Sequence, residues 1–366
     1  MEITIIGLSK SGKTVIFNAL TKGHAQVAAY AKSSIVPNIG VTKVPDPRLE
    51  ILEKLFKPAK VTKAEIKYID IAVESKAFEK GGSIGGQLLN YLSNADALIQ
   101  VIRSFKNDNI QHLEGTIDPV RDIAVMDLEL VYSDLVIIER RLERIETELK
   151  SVKSAERDLL NRENILLQKI KSNLEKEVPI WQQGLSSAEM MSISSYQFLT
   201  AKPMLFILNV GEDQIEEAPA IEDTLRSLRS NSQFEIVTLC GQLEMELAQL
   251  SDADAREFRS SMGLTEGAVD QILSKSYQLL GLISFFTVVS SELKVWTIPE
   301  GTIALKAAGK IHTDMEKGFI RAEVISFNDL TRCGDMAEAR KNGLLRLEGK
   351  NYTVQDGDII TFLFNT

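Results

Sequence analysis

The chain has 366 residues, a length that predicts two or three domains, each large enough to bury a hydrophobic core. Its hydrophobic fraction of 44% and charged fraction of 25% are ordinary for globular proteins, which excludes wholesale disorder. A net charge of −9 argues against indiscriminate binding to nucleic acid, although a local basic face on one domain can still contact RNA.

Cysteine usage and hydropathy indicate the cellular compartment in which the protein is expected. Cys240 and Cys333 lie far apart and have no His or Cys partner at metal-ligand spacing, so neither a metal site nor a disulfide is predicted. The N-terminus enters a strand early, and no apolar stretch approaches the roughly 18 residues that a membrane span needs. We therefore expect a cytoplasmic protein that is neither secreted nor membrane-spanning.

The first predicted elements are an apolar strand, Ile3 to Ile6, and a helix that includes Val15 to Leu20. The loop between them reads Gly7-Leu8-Ser9-Lys10-Ser11-Gly12-Lys13-Thr14, the pattern of a phosphate-binding loop. In such a loop glycines let the backbone amides point inward, the lysine reaches the β- and γ-phosphates, and the threonine hydroxyl binds Mg²⁺. A tight turn into an ordinary helix is the less favoured alternative. The nucleotide-binding candidates here are Gly7, Ser9, Lys10, Ser11, Gly12, Lys13, Thr14 and Val15.

Apolar runs of strand length alternate with helical patterns over much of the chain. This alternation predicts an α/β fold with a mostly parallel sheet and helices on both faces. The runs are Ile3 to Ile6, Ile66 to Ile71, Ala97 to Ile102, Met204 to Leu208 and Ile236 to Leu239.

Oxygen ligands for a magnesium ion lie near the second of these strands. Asp70 comes at its end, where a carboxylate can hold the metal directly or through water, although a helix cap is an alternative role. Ser33 and Ser34 precede Val36-Pro37-Asn38, and either hydroxyl can complete the metal shell or simply face solvent. The metal-binding candidates are therefore Thr14, Ser34 and Asp70.

Two apolar seams interrupt the alternation of strands and helices. Their spacing of three and four residues predicts an antiparallel coiled-coil hairpin, with helices of about 25 residues that reach about 37 Å. One long packed surface helix is the alternative. Ser186 and Glu189 predict a capping box for a helix that returns toward the sheet. The first seam is Leu128, Val131, Leu135, Ile138, Leu142, Ile145, Leu149 and Val152, and the second is Leu160, Leu167, Ile170, Leu174 and Trp181.

Candidate base-reading residues follow the strand Met204 to Leu208. Asn209 can orient the loop or contact N7 of the base, and Glu212 can accept a hydrogen bond from an exocyclic amine. The familiar guanine reader is Asn-Lys-x-Asp, and here Val210 stands in place of its lysine and Glu212 in place of its aspartate. These differences weaken selectivity for guanine.

The pattern changes after Gly281 to short β-like stretches broken by glycines, which predicts a small α+β domain of about 85 residues. The predicted stretches are Phe285 to Val289, Lys294 to Ile298, Phe319 to Val324 and Ile359 to Phe364. We therefore place a discontinuous nucleotide-binding domain at residues 1–126 and 198–280. The helical insertion spans 127–197, and the C-terminal domain spans 281–366.

The chain resembles the YchF/Obg-like ATPase family from end to end. The resemblance implies a Ras-like nucleotide domain interrupted by a helical hairpin, a TGS-like C-terminal domain of the β-grasp type, a preference for adenine over guanine, and association with the ribosome or RNA. It rests on Gly7 to Thr14, Ser34 to Gly40, Val44 to Leu49, Asp70-Ile71-Ala72, Asn209-Val210-Gly211-Glu212, Ala308 to Glu323 and Val354 to Asp358.

Several positions depart from the family pattern. Val73 stands where the family has a glycine whose amide meets the γ-phosphate, and a β-branched residue restricts the backbone there. This substitution puts the sensing of the nucleotide state in question. Lys10 replaces an asparagine of the phosphate loop, and Ala29-Tyr30-Ala31-Lys32 replaces Asn-Tyr-Pro-Phe.

The resemblance also supplies two catalytic candidates, His112 and Glu74. His112 matches the family's histidine, and an imidazole near pH 7 can orient or deprotonate water, whereas a structural role in a surface loop is the alternative. Glu74 occupies the place of the water-orienting glutamine of Ras-like enzymes. Its negative charge beside a triphosphate is unfavourable unless a metal or Lys10 offsets it.

Two functions from different classes follow from these residues and the resemblance. The first is slow Mg²⁺-dependent hydrolysis of ATP, with GTP as the alternative substrate, that regulates association with the ribosome or translation machinery. The second is a nucleotide-binding adaptor whose degenerate switch, caused by Val73, leaves little or no hydrolysis.

Overall fold

The computed structural model describes residues 1–23, 25, 37–71, 86–112, 115–228, 235–262 and 267–365. Contacts between residues divide the chain into two units. The first comprises Met1–Val41 and Lys67–Val269, and the second comprises Thr42–Ile66 and Asp270–Thr366. Among the helices of the described ranges, none has both the length and the apolar character that crossing a membrane requires.

The strands, in chain order, are β1 (Glu2–Ile6), β2 (Pro37–Lys43), β3 (Lys60–Thr62), β4 (Glu65–Ile71), β5 (Ala97–Arg103), β6 (Met204–Asn209), β7 (Glu235–Leu239), β8 (Leu282–Val289), β9 (Glu292–Pro299), β10 (Phe319–Ser326), β11 (Arg346–Glu348) and β12 (Asp358–Phe364). The α-helices are α1 (Lys13–Thr21), α2 (Arg48–Phe56), α3 (Gly86–Asn94), α4 (Pro119–Glu148), α5 (Ser154–Leu174), α6 (Ser187–Ile193), α7 (Ala218–Leu228), α8 (Gly241–Leu247), α9 (Asp252–Ser261), α10 (Ala268–Leu279), α11 (Ala304–Ile311), α12 (Thr313–Lys317), α13 (Phe327–Cys333) and α14 (Met336–Lys341).

The first unit is built on a six-stranded sheet with the order β2-β4-β1-β5-β6-β7. The pairs β1 with β4, β1 with β5, β5 with β6, and β6 with β7 are all parallel. Every residue of β5 is buried, as expected for a central strand that helices cover on both faces. The prediction of an α/β fold with a mostly parallel sheet is confirmed, and the carboxyl ends of these strands share one edge of the sheet.

Two apolar clusters attach helices to this sheet. In the first, Leu88 and Leu92 of α3 and Met126 and Leu130 of α4 pack with residues of β4 and β5. The second joins the ends of β5, β6 and β7 to α7 and α8. Burial of apolar side chains such as these stabilises each helix on the sheet, by about 1.5–3 kcal/mol for each fully buried Leu or Met.

The insertion contains the two predicted helices. α4 begins at Pro119, before the boundary predicted at residue 127, because the Asp118 side chain caps it by accepting a hydrogen bond from the Arg121 amide. Leu128 was predicted at the seam but is exposed, since Met126 and Leu130 occupy the opposite face of α4 against the sheet. The residues that join α4 to α5 are Val131, Ile138, Leu142, Ile145, Leu167, Ile170 and Leu174. The predicted capping box of Ser186 and Glu189 is present at α6.

A buried carboxylate fixes α4 to the segment that returns to β6. Asp134 is fully buried and accepts hydrogen bonds from the amides of Leu199 and Thr200 and from the Thr200 hydroxyl, at 2.7–2.8 Å. The Thr200 hydroxyl also accepts from the Ile180 amide at 3.2 Å. We use the term arm for α5 together with the part of α4 that follows Asp134.

Asp134 makes the stability of the fold depend on pH. Burial raises its pKa from the ordinary 3.8 to about 6, although hydrogen bonds from Thr200 and Leu199 oppose the increase. The folded state therefore favours the protonated form, which adds stability that is complete below about pH 4 and lost as the pH rises through about 6. We expect the parent to gain about 2 kcal/mol relative to Asp134→Asn between pH 7 and pH 4.

Urea denaturation at a series of pH values measures this difference. The matched control is Asp158→Asn, which replaces an exposed carboxylate of α5 and should show no pH-dependent difference from the parent. A constant difference between the parent and Asp134→Asn across this pH range would contradict the prediction.

The second unit is built on a six-stranded sheet with the order β11-β10-β12-β8-β9-β3. The four β-like stretches predicted near the C-terminus correspond to β8, β9, β10 and β12. β8 pairs antiparallel with β9, β10 pairs antiparallel with β12, and β12 pairs in parallel with β8. The helix α11 covers one face, where Ala304, Ala307 and Ala308 pack with Phe285 and Val324. Small side chains on α11 allow the helix to approach the sheet closely.

The division into units differs from the boundaries drawn from the sequence, because residues 42–66 belong to the second unit and contribute the strand β3 to its sheet. β3 pairs in parallel with β9, from Lys60 opposite Glu292 to Thr62 opposite Lys294. Within the same unit, Arg48 of α2 forms ion pairs with Asp356 at 2.7 Å and with Asp46 at 2.8 Å. The pairing of β3 with β9 and the ion pair of Arg48 with Asp356 link segments far apart in the sequence, whereas Asp46 is two residues from Arg48.

Candidate functional site

The phosphate loop joins β1 to α1 and needs glycine at two positions. Gly7 has a φ of 142° and Gly12 has a φ of 96°, values that residues with a side chain rarely adopt. A Cβ atom on Gly7 would lie 2.4 Å from the carbonyl oxygen of Val101, and one on Gly12 would lie 2.2 Å from Nδ2 of Asn209. The loop passes so close to these neighbours that a larger residue cannot be accommodated without a shift.

The other loop candidates differ in exposure. Ser9 is half-buried and Lys10 is exposed, with Lys10 Nζ 3.5 Å from the carbonyl oxygen of Gln111, the weak limit of a hydrogen bond. Ser11 is buried, and within the described residues its hydroxyl has no hydrogen-bond partner. Val15 lies in the first turn of α1, where backbone amides have no acceptor within the helix and are available to an anion.

Lys13 bonds to its own loop in this structure. Its Nζ donates to the carbonyl oxygens of Gly7 and Leu8, both at 3.0 Å. Burial lowers the pKa of Lys13 to about 8, and attraction by the Asp70 carboxylate partly offsets that shift. The ammonium is therefore held at the loop by neutral acceptors, which a phosphate oxygen can replace with a stronger, charged acceptor.

Thr14 and Asp70 are brought together as the metal-site prediction requires. The Thr14 hydroxyl donates to Oδ2 of Asp70 at 2.8 Å, and the side-chain Nδ2 of Asn38 donates to the same oxygen at 3.1 Å. Asp70 is fully buried, yet its Oδ1 has no hydrogen-bond partner among the described residues. A buried carboxylate oxygen without a donor is a costly arrangement that a cation can satisfy.

Asn209 anchors the phosphate loop. Its Nδ2 donates to the carbonyl oxygen of Ser11 and its Oδ1 accepts from the amide of Gly241, both at 3.0 Å. Both ends of the amide are thereby engaged, so this structure favours the loop-orienting role that the sequence left open. Val210 is buried in the cluster of β6, β7, α7 and α8, whereas Glu212 is exposed in the short helix Glu212–Gln214.

His112 lies in a buried cleft behind the phosphate loop. Its Nε2 is 2.8 Å from Oδ2 of Asp122, and only 5% of the imidazole and 4% of the carboxylate side chain are exposed. Leu8 and Ser9 line the same cleft, as do Gln100 and Arg103. The structure therefore places His112 next to the loop, but in contact with a carboxylate rather than on an open surface.

Some of the predicted residues lie outside the described part of the chain, and four residues of the observed site were not predicted from the sequence. Ser33, Ser34, Val73 and Glu74 belong to the first group, so their roles stay predictions. The second group comprises Asn38, Arg103, Asp122 and Gly241. Asp122 lies in the first turn of α4, four residues after the cap Asp118. Nothing in the sequence predicts that it contacts a histidine, because that contact forms only in the folded chain.

Arg103 organises the loop that leads to His112. Its Nε donates to the carbonyl oxygen of Phe105 at 3.2 Å and its Nη2 donates to that of Ile110 at 2.8 Å. The guanidinium also stacks on the Phe105 ring, 4.6 Å from the centroid. Burial lowers the pKa of Arg103, which the Asp122 carboxylate opposes. This buried cation fixes both ends of the loop segment before His112.

Comparison with protein families finds matches to both parts of the chain. Residues 2–138 match a family described as 50S ribosome-binding GTPase. Residues 282–365 match the C-terminal family of YchF GTPases, which is described as a protein of unknown function. Together these matches cover the phosphate loop, Asp70 and His112, as well as the sheet of the C-terminal region.

Individual proteins match over nearly the whole chain. The ribosome-binding ATPase YchF of Bacillus subtilis is 37% identical over 363 residues, which cover 99% of this chain and 98% of that protein. The protein of the same name from Escherichia coli O157:H7 is 38% identical over 361 residues, with the same coverage. The solved structure of the Schizosaccharomyces pombe YchF GTPase superposes with a TM-score of 0.84 at 28% identity, over 99% of this chain and 97% of that one.

Proposed function

Because the chain belongs to the YchF family, we propose that it binds ATP, hydrolyses it slowly with Mg²⁺, and thereby regulates its own association with the ribosome. The observation that supports this proposal most directly is the convergence of Lys13, Thr14 and Asp70 beside the glycine-bounded loop. We include the ribosome as a partner because the relatives from Bacillus subtilis and Escherichia coli are named ribosome-binding ATPases.

The residues of this site fit a magnesium ion. The Thr14 hydroxyl and the Asp70 carboxylate would hold it, since Oδ1 of Asp70 is buried and lacks a donor among the described residues. Ser34 stays a predicted further ligand. When bound, the ion supplies positive charge that offsets the negative charge of the β- and γ-phosphates. Lys13 contributes a second positive charge from the loop itself.

The base-binding side supports ATP over GTP. Val210 is buried among apolar side chains, so it offers no cation or amide to a guanine ring. Glu212 is exposed where its carboxylate can accept a hydrogen bond from an exocyclic amine. Adenine and guanine both carry such an amine, so the preference for ATP rests on the absence of the lysine and aspartate of the guanine reader at Val210 and Glu212. Asn209 is already committed to Ser11 and Gly241.

We expect ATP to bind at least as tightly as GTP in titrations with fluorescent analogues of both nucleotides. Replacing Glu212 with alanine should weaken ATP binding by about threefold to tenfold, because it removes a charged acceptor at an exposed position. The matched control is Glu217→Ala, which removes a carboxylate that is also exposed. A reproducible preference of the parent for GTP would contradict the assignment.

Hydrolysis requires a group that places the attacking water, and His112 is the proposed residue. An imidazole is suited to this role because it can accept a proton from water near neutral pH. Its contribution is to the reaction rather than to ground-state binding. The cleft that holds His112 is lined by Leu8 and Ser9 of the phosphate loop, so the imidazole is stored close to the nucleotide site.

Replacing His112 with alanine should slow single-turnover ATP hydrolysis by about 100-fold while the Kd for ATP stays within about twofold of the parent value. His312→Ala is the matched control, since it removes an exposed histidine of the second unit. An unchanged single-turnover rate in His112→Ala would remove this histidine from the mechanism, and Glu74 would become the next candidate.

One observation favours the second function, a nucleotide-binding adaptor with little hydrolysis. His112 is buried and bonded to Asp122, so in this conformation its imidazole is not free to act on water. Phosphate release at saturating ATP and Mg²⁺, with Lys13→Ala as the inactive control, separates the two functions. A release rate equal to that of the control, together with tight ATP binding by the parent, would establish the adaptor.

A further inference from the structure

We propose that Asp122 is a positioning residue that retains His112 in a buried storage site, and that movement of α4 releases it for hydrolysis. This inference rests on the proposed function, because it concerns how the proposed water-placing residue becomes available. It adds a specific residue that controls hydrolysis and a structural element that can transmit a signal from a partner.

The storage site is held by a chain of charged hydrogen bonds. Oδ2 of Asp122 contacts Nε2 of His112 at 2.8 Å, while Oδ1 accepts from Nε of Arg121 at 3.2 Å and from Nη2 at 2.9 Å. Arg121 Nη2 also donates to the carbonyl oxygen of Thr116 at 2.6 Å. The Asp122 carboxylate thus links His112 to the first turn of α4.

The burial of the His112 imidazole indicates that Asp122 retains the ring and does not merely orient it for catalysis. A carboxylate that orients a catalytic histidine leaves the rest of the imidazole facing the substrate. Here the whole imidazole is enclosed with Asp122 in a cleft lined by Leu8, Ile102 and Arg103. Because only 5% of the imidazole is exposed, water that attacks a phosphate has little access to the ring, and His112 acts on it only after leaving Asp122.

α4 connects this contact to the arm. The helix is continuous from Pro119 to Glu148, a length of about 45 Å, and Asp122 lies in its first turn. Met126 and Leu130 fix the next turns to the sheet, and Asp134 fixes the following turn to the segment that returns to β6. Because Asp122 and the arm belong to one continuous helix, a displacement of the arm that also shifts the contacts of Met126, Leu130 and Asp134 would displace Asp122.

The test compares Asp122→Asn with Asp118→Asn. The first weakens the bond to His112, whereas the second changes an exposed cap of the same turn and keeps its capping ability. We expect Asp122→Asn to raise the basal rate of ATP hydrolysis about tenfold with an unchanged Kd for ATP. The increase should disappear in the double variant with His112→Ala, and Asp118→Asn should behave like the parent.

A second measurement follows the imidazole without reference to activity. The chain has only three histidines, so the side-chain nitrogen resonances of His112 can be assigned by their loss in His112→Ala. In Asp122→Asn these resonances should move toward those of a solvent-exposed histidine. If they move but hydrolysis does not rise, the retention is correct and the proposed catalytic role of His112 fails. If they do not move, the retention itself is overturned.

A lower hydrolysis rate in Asp122→Asn would show that Asp122 orients a catalytic imidazole rather than storing it. If this variant does not fold, Arg121→Gln, which removes the donors to Oδ1, has to raise the rate in the same direction by a smaller factor. Ribosomes should stimulate the parent more than Asp122→Asn, and equal stimulation of both would overturn the link through α4.

Discussion

Replacing Lys13 with alanine is expected to weaken ATP binding by about 100-fold and to remove measurable hydrolysis. The amine lies at the phosphate loop, where its only hydrogen bonds in the described structure go to the carbonyl oxygens of Gly7 and Leu8. A charged hydrogen bond to phosphate contributes about 1.5–3 kcal/mol, and loss of about 2.7 kcal/mol corresponds to 100-fold in affinity. Isothermal titration with ATP and Mg²⁺ measures the change.

The phosphate loop offers its own matched control for this experiment. Lys10 is only three residues away, but it is exposed and its contact with Gln111 is at the limit of a hydrogen bond. Lys10→Ala should therefore change the affinity for ATP by less than about threefold, the effect expected of an exposed charge. Equal losses in the two variants would indicate a general electrostatic attraction instead of a phosphate contact by Lys13. An unchanged affinity in Lys13→Ala would place the nucleotide elsewhere.

Gly7→Ala is expected to have the largest effect on stability and also to weaken ATP binding. The new Cβ atom would meet the backbone oxygen of Val101 at 2.4 Å, and a φ of 142° is strained for alanine. Overpacking against a fixed backbone and the unfavourable φ each cost about 1–3 kcal/mol, so we expect a total loss of about 2–5 kcal/mol in the free energy of unfolding. Relief by displacement of the loop would instead disrupt the phosphate site.

Chemical denaturation of Gly7→Ala and titration with ATP report these two effects separately. Gly184→Ala is the matched control, because Gly184 also has a positive φ, 62°, but an added Cβ atom would meet nothing within 4 Å. The control should lose no more than about 1–2 kcal/mol, the cost of placing alanine in the left-handed region. If Gly7→Ala is as stable as this control and binds ATP like the parent, the close approach to β5 is not a constraint on the loop.

The geometry of the candidate nucleotide site was largely predictable, because the sequence features that specify it lie close together in the chain. The phosphate loop is eight consecutive residues whose required conformations are encoded by Gly7 and Gly12. Asp70 was predictable because the ends of parallel strands meet at one edge of the sheet, which brings its carboxylate to Thr14. The spacing of apolar residues was likewise sufficient to predict the two helices of the insertion, although it wrongly placed Leu128 in the seam between them.

The contacts that the sequence did not reveal depend on the folded chain. His112 could be matched to a family position, but its burial against Asp122 depends on how the loop held by Arg103 meets α4. The place of residues 42–66 in the second unit was not predicted, because β3, their strand in its sheet, has three residues and is too short to show a period.

The pairing of β3 with β9 also sets an order of events during protein synthesis. Lys60 leaves the ribosomal tunnel roughly 230 residues before its partner Glu292. At about 5–20 residues per second, the edge of β3 waits for about 10–50 seconds before it can be hydrogen-bonded. The second unit therefore cannot complete its sheet until β8 to β12 have been synthesised, and a nascent chain stalled before residue 280 carries β3 with no sheet to join.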